Sequence, residues 1–175
     1  MKCNPNPTNP TATEKDKRKK KKSLLTWLIN NLWELRENIT SGLAKDGYSY
    51  KYDISLPHEN FYACVEVLRQ HLCHLPVIRV CGYGHIGDGN IHLNVTSKAY
   101  NKEVLQSIEP FIYEWTAKVG GSVSAEHGIG FKKRDAVHFS KSSRAIALMH
   151  QMKNMMDPNG ILNPYKVLPE LPVSN

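Results

Sequence analysis

Cysteine is scarce in this 175-residue sequence, with four residues and no Cys-x-x-Cys pair among them. That spacing excludes a zinc knuckle and a disulfide-stapled scaffold. Cys64 and Cys81 sit inside apolar patterns and read as buried free thiols of a reducing compartment. Long apolar runs are missing as well. The best candidate, Leu24 to Leu32, falls far short of the roughly 18 residues of a membrane span and contains Asn30 and Asn31. No signal peptide is recognisable, so the sequons Asn38-Ile39-Thr40 and Asn94-Val95-Thr96 have no secretory context. Acidic residues are in deficit, but only at one end. Residues 1–23 hold eight Lys or Arg against Glu14 and Asp16, within an overall net charge of +7. The remainder has 15 basic and 14 acidic residues, so no folded basic face for specific nucleic-acid binding is expected.

Residues 1–22, rich in Asn, Pro, Thr and Lys, are expected to be a disordered tail, with Lys19 to Lys22 a solvated charge run. From Leu24 to Leu43 the residues Leu25, Leu28, Ile29, Leu32, Leu35 and Ile39 recur at helical steps, and Gly42 and Gly47 end the pattern. Tyr48 to Leu56 alternates as a strand, with Lys51 and Asp53 on the face opposite the tyrosines. Helices are expected over Glu59 to Leu72 and Lys102 to Val119, and strands over Val77 to Tyr83 and Asn90 to Thr96. Ser122 to Ala125 reads as a short edge strand, and Ser142 to Met156 as an additional helix before Asp157-Pro158. The order predicts an α+β fold: a ferredoxin-like antiparallel sheet with helices on one face plus an extra C-terminal helix, over residues 23–169. Residues 170–175 form a second tail.

The densest signal is Gly82-Tyr-Gly-His-Ile-Gly-Asp-Gly-Asn-Ile-His-Leu-Asn94. Its glycines satisfy GxGxxG, but a dinucleotide site needs a helix after that turn. Here Ile91, Leu93 and Val95 alternate with Asn90, His92 and Asn94, so a strand follows and the dinucleotide reading fails. The alternation sends Ile91, Leu93 and Val95 to the core and Asn90, His92 and Asn94 to the opposite face. His85, in the glycine-rich turn, is expected to fold back over that face. A second segment, Ser122-Val-Ser-Ala-Glu-His-Gly-Ile-Gly130, adds Glu126 and His127 among small residues. Histidines with a carboxylate and an open position suit catalytic Zn²⁺, and equally non-haem iron or manganese. Spacing alone leaves a metal centre and a structural polar network level.

These two segments, together with Asp157-Pro-Asn-Gly-Ile-Leu-Asn-Pro-Tyr-Lys166, resemble the C-terminal domain of FAD-linked oxidases of the vanillyl-alcohol-oxidase type. Leu32-Trp-Glu-Leu-Arg-Glu-Asn-Ile-Thr40 and Lys45-Asp-Gly-Tyr-Ser-Tyr-Lys-Tyr-Asp53 look like the entry to that domain, and the resemblance runs from about Leu32 to Pro169. It implies oxidation of a D-2-hydroxy acid, D-2-hydroxyglutarate to 2-oxoglutarate, with FAD as acceptor and an electron-transfer flavoprotein as onward partner. By the same resemblance His85, His92 and Glu126 are metal ligands, with Zn²⁺ expected, and His127 is the catalytic base. Arg36, Thr40, Lys51 and Asn94 are implied as substrate-binding residues, and Asn163 and Lys166 as residues near the flavin.

The family's FAD-binding domain finds no match in this sequence, so a fragment that is inactive alone is expected. A mitochondrial location follows from the resemblance, although the tail lacks the Arg-rich, acid-poor pattern of a transit peptide. Two alternatives stand beside this reading. One is a D-lactate or glycolate type of dehydrogenase domain, and the other a non-catalytic protein that retains the fold for binding.

Overall fold

The alternation of Ile91, Leu93 and Val95 with polar neighbours becomes strand β3 (Asn90–Ser97), the middle of a three-stranded antiparallel sheet. Strand β1 (Tyr48–Ser55) pairs along one side and β2 (Arg79–His85) along the other, giving the order β1-β3-β2. The structure, a computed structural model, describes residues 12–170. They fall into two compact units, divided after Lys45.

In the first unit, helix α1 spans Ala12–Glu37 and α2 spans Ile39–Ala44. Residues 12–22 of the expected disordered tail are therefore helical; residues 1–11 lie outside the described residues. No glycine or proline interrupts residues 12–37, and Lys and Leu are strong helix formers, so the Lys-rich stretch continues the apolar one. Leu24, Leu25, Trp27, Leu32, Trp33 and Leu35 are exposed along α1. No helix among the described residues is long and apolar enough to cross a membrane.

The second unit begins at Asp46, whose carboxylate links three segments. Its Oδ1 accepts from Arg79 Nη2 at 2.9 Å and its Oδ2 from Arg79 Nε and from Thr96 Oγ1. The core lies on one face of the sheet. Tyr50, Tyr52 and Ile54 of β1, Val80 of β2 and Ile91, Leu93 and Val95 of β3 pack there in one apolar cluster. Cys64, Val65 and Leu68 of α3 (Ala63–His71) join them, with Val104 and Ile108 of α4 (Lys102–Ile108) and Ile112 and Tyr113 of α5 (Phe111–Lys118). Full burial of each large aliphatic side chain contributes about 1.5–3 kcal/mol. Tyr50 fixes the start of α4: its hydroxyl donates to Asn101 O at 2.9 Å and accepts from Asn101 N at 2.7 Å. The Asn101 carboxamide in turn caps the helix through Glu103 N.

The α+β class and the antiparallel sheet agree with the sequence, and several details differ. The helix expected over 102–119 is two helices, because Pro110 has no N–H to continue α4. The fourth strand is reduced to one antiparallel bridge, Ser55 with Ser122, on the free edge of β1. Beyond it Ser122 Oγ donates to Ser124 O, and the following N–H groups turn inward rather than along a ladder. Finally, β2 runs on to His85, so that residue belongs to the strand and not to the turn. The last helix, α6 (Ser143–Met156), starts one residue after its predicted position, with Ser142 Oγ accepting from Ala145 N.

Candidate functional site

Cross-strand register assembles the polar face of the sheet. Lys51 pairs with Asn94 and Asn94 with Cys81; Asp53 pairs with His92 and His92 with Tyr83; Ser55 pairs with Asn90 and Asn90 with His85. Residues directly opposite one another share a face, so all nine lie on the side away from the core. His85 reaches this face by the strand pleat and needs no fold-back of the turn. Its ring lies 5.5 Å from that of His92, and Tyr83 flanks His92 at the same distance. Gly84 is required between them, since a Cβ there would come within 2.2 Å of the Asn90 carbonyl oxygen.

The segment after the Ser122 bridge brings the remaining groups. Glu126 Oε1 is 3.1 Å from His85 Nε2, and its Oε2 is 4.0 Å from His92 Nε2. The His127 ring stacks on His92 with centroids 5.7 Å apart and planes 20° from parallel. Glu126 and His127 are exposed and His92 is half-buried, so the cluster is open on one side.

Asp53 holds this segment in place. Its side chain has no accessible surface, and Oδ2 accepts three backbone N–H groups, from Ala125 at 3.1 Å and from Glu126 and His127 at 2.8 Å. The other oxygen, Oδ1, lies 3.7 Å from His92 Nδ1 and has no hydrogen-bond partner among the described residues. Lys133 ties the same two segments through their backbones, donating to Asp53 O at 3.1 Å and Val123 O at 2.8 Å. Neither Asp53 nor Lys133 was singled out from the sequence. Nothing local connects Asp53 with residues 72 to 74 positions downstream.

Electrostatics follow from this packing. Burial holds the His92 imidazole below its ordinary value against the upward pull of Glu126 and Asp53, so an uncharged ring is available at neutral pH. Burial alone would raise the Asp53 carboxyl; the backbone donors of His127 and Glu126, the nearby His127 ring and the Ala125 N–H outweigh it and keep the group below its usual range. Lys133 is lowered by burial, against the pull of Asp53 and Glu109.

The donor set fits one divalent cation. Nitrogen and oxygen ligands at about 2.0–2.2 Å from a tetrahedral ion stand roughly 3.3–3.5 Å from each other. The Glu126 carboxylate stands between the two imidazoles at separations near that spacing, 3.1 Å from His85 through Oε1 and 4.0 Å from His92 through Oε2. A second grouping shares His92 and Glu126: one donor atom each from Asp53, His92, Glu126 and His127 lie within 4.8 Å of one another. Relative to the first grouping, the second replaces His85 with Asp53 and adds His127. Asp53 is fully buried with Oδ2 already committed to three donors, whereas His85 is exposed beside Glu126, so His85 is the better ligand and Asp53 the better support.

The other residues expected at the site are distributed more widely. Lys51 is exposed on the polar face, but Asn94 is buried; its Nδ2 donates to His92 O and its Oδ1 has no hydrogen-bond partner among the described residues. Burial also removes Asn94 as a glycosylation acceptor. Arg36 closes α1 and Thr40 lies in α2, both in the first unit. Asn163 and Lys166 follow α6; Lys166 Nζ donates to Asn163 Oδ1 at 2.8 Å, and both line a groove of about 310 Å³ with Met149, Met152 and Leu162. This segment meets the loop after His127 where Val167 N donates to Gly130 O at 2.7 Å.

Residues 24–167 match the family described as FAD linked oxidases, C-terminal domain. The chain belongs to that family. The match begins earlier than the resemblance read from Leu32, so the apolar stretch of α1 is part of the FAD-linked oxidase C-terminal domain. Among relatives, proteins named D-2-hydroxyglutarate dehydrogenase, mitochondrial, from Bos taurus and Danio rerio are 56% and 54% identical over 142 residues. Those residues are 81% of this chain and 26% of each relative. A putative mitochondrial D-lactate dehydrogenase of Schizosaccharomyces pombe is 47% identical over 145 residues, 77% of this chain and 28% of that protein. The chain thus spans about a quarter of the length of the curated relatives it matches.

Proposed function

We propose that this chain is the substrate- and metal-binding part of an FAD-dependent dehydrogenase that oxidises D-2-hydroxyglutarate to 2-oxoglutarate. The observation that carries the proposal is Glu126 standing between His85 and His92, with His127 stacked beside them, in a chain whose relatives bear that name. His85, His92 and Glu126 would hold the metal, with Zn²⁺ the expected ion for two imidazoles and one carboxylate. Such a metal supplies Lewis acidity toward the hydroxyl and carboxylate of a 2-hydroxy acid, and FAD supplies the hydride acceptor.

His127, open to solvent beside the ligands, takes the proton of the substrate hydroxyl. Loss of that proton lets the hydrogen on C2 depart with its electron pair as the ketone forms. Lys51 takes the distal carboxylate, since a diacid needs a cation at each end, and the family resemblance adds Arg36 and Thr40 as substrate-binding residues. Asn94 supports the substrate side from beneath, its buried Oδ1 the acceptor still without a partner. Asn163 and Lys166 approach the flavin, whose principal binding surface is assigned to the remainder of a protein of the relatives' length. A mitochondrial site of action and electron transfer to an electron-transfer flavoprotein belong to the same proposal.

Metal analysis of the purified chain tests the centre. One equivalent of zinc, retained by the native chain and lost in His92→Ala, is the expected result; no bound divalent metal after reconstitution overturns it. The resemblance to a putative D-lactate dehydrogenase favours a monoacid as the second reading of substrate. Titration of the zinc-loaded chain with each acid separates them, with tighter binding of D-2-hydroxyglutarate than of D-lactate expected.

A further inference from the structure

We propose that Asp53 is the positioning residue of this centre, joining the two halves of the ligand set through one buried carboxylate. The inference rests on the metal reading above and deepens it. Strand β1 contributes none of His85, His92 and Glu126, yet Asp53 touches two of the three segments that carry them. Through Oδ2 it accepts the backbone N–H groups of Ala125, Glu126 and His127, which fixes where Glu126 and His127 leave the chain. Through Oδ1 it faces Nδ1 of its register partner His92 at 3.7 Å, about 0.7 Å beyond an ordinary N–H···O hydrogen bond.

That oxygen is buried and has no hydrogen-bond partner among the described residues, a costly arrangement unless a donor reaches it. A small rotation of the half-buried His92 ring closes the gap and makes Nδ1–H the donor. The consequence is chemical. With its proton on Nδ1, His92 presents a bare Nε2 lone pair, and Nε2 is the atom that faces Glu126. A carboxylate behind an imidazole fixes both the tautomer and the ring orientation that a metal needs.

Asp53→Asn tests the role with almost no change in size. Three N–H donors hold the amide oxygen, so the NH₂ group must face His92 Nδ1. Nδ1 is then forced to accept, the proton moves to Nε2, and the lone pair aimed at Glu126 is lost. Nitrogen NMR of the metal-free native chain is expected to show His92 as the Nδ1–H tautomer, and Asp53→Asn as Nε2–H. Zinc affinity, read by competition with a chromophoric chelator, should fall about 10- to 100-fold in the variant. An Nε2–H tautomer in the native chain overturns the proposal, even should the variant fail to fold. So does unchanged zinc affinity in a folded Asp53→Asn chain. If the native chain binds no zinc at all, the metal reading fails and the tautomer still decides the role of Asp53. Asp53→Ala separates a merely structural effect: it lowers the melting temperature but leaves Nδ1 without a donor facing it, and so without a forced switch of tautomer.

Discussion

Lys51 stands two residues from Asp53 on β1, paired in register with Asn94 and exposed on the face that carries His92. One strand step of two residues is about 6.5–7 Å, close to the length of a five-carbon diacid. A carboxylate bound beside His92 would therefore place its distal partner near the Lys51 ammonium. Hydrogen bonds to charged groups contribute about 1.5–3 kcal/mol, and an exposed lysine falls at or below the lower end. Lys51→Ala should weaken D-2-hydroxyglutarate binding by about tenfold while leaving D-lactate binding unchanged, measured by calorimetry on zinc-loaded chain. Equal loss for both acids would show that Lys51 acts on the metal end, and no loss for either would remove the diacid assignment.

At the scale of elements, the turn between β2 and β3 sets the spacing of His85 and His92. Gly89 ends that turn at φ +72, and a Cβ there would lie 2.3 Å from the Leu56 carbonyl oxygen. The same carbonyl region is fixed because Leu56 N donates to Gly89 O at 2.9 Å. Gly89→Ala thus meets both backbone strain and a clash with backbone that cannot yield cheaply. A loss of about 1–3 kcal/mol in urea unfolding is expected, with weaker zinc binding because His85 shifts against Asn90. Much of this element was legible in advance. Period-two alternation put His92 and Asn94 on one face and ruled out a phosphate-binding turn. Local pattern failed where long-range contacts decide. Whether β2 stops at Tyr83 or His85 depends on its register with Asn90, and whether Ser122 to Ala125 forms a strand depends on Asp53 drawing its N–H groups away. Asp53 itself looked like one of two charges alternating with tyrosines; only the fold shows that it is fully buried while Lys51 is exposed. Pro110 lies within the single helix expected over Lys102 to Val119, because the helical periodicity on either side hid the break.

For the molecule as a whole, the proposed centre would link metal, protons and folding through the same side chains. His92 has a folded value below the 6.5 of a free imidazole because burial disfavours its charge. The unfolded chain therefore gains a proton as pH falls through about 6.5, while the folded chain resists, and stability declines until the folded value is reached. Asp53, Asp46 and Asp157 are held below 3.8, so their contribution is complete above that value and disappears as pH falls below it. Two successive losses are expected on acidification, the first centred below pH 6.5 and the second below 3.8. Zinc acts in the opposite sense. Free metal at one hundred times its Kd raises stability by about 2.7 kcal/mol when it binds only the folded chain. Because zinc and protons compete for His92, that increment should be full at pH 7.5 and should shrink as pH falls through 6.5 and below. Urea unfolding at pH 7.5, 5.5, 4.5 and 3.0, with zinc or with chelator, measures both effects at once. His92→Gln should flatten the first acid step and abolish most of the zinc increment, leaving the second step in place. An increment that stays constant across this range would mean that zinc binds without the histidines, and the centre built on His85, His92 and Glu126 would have to be abandoned.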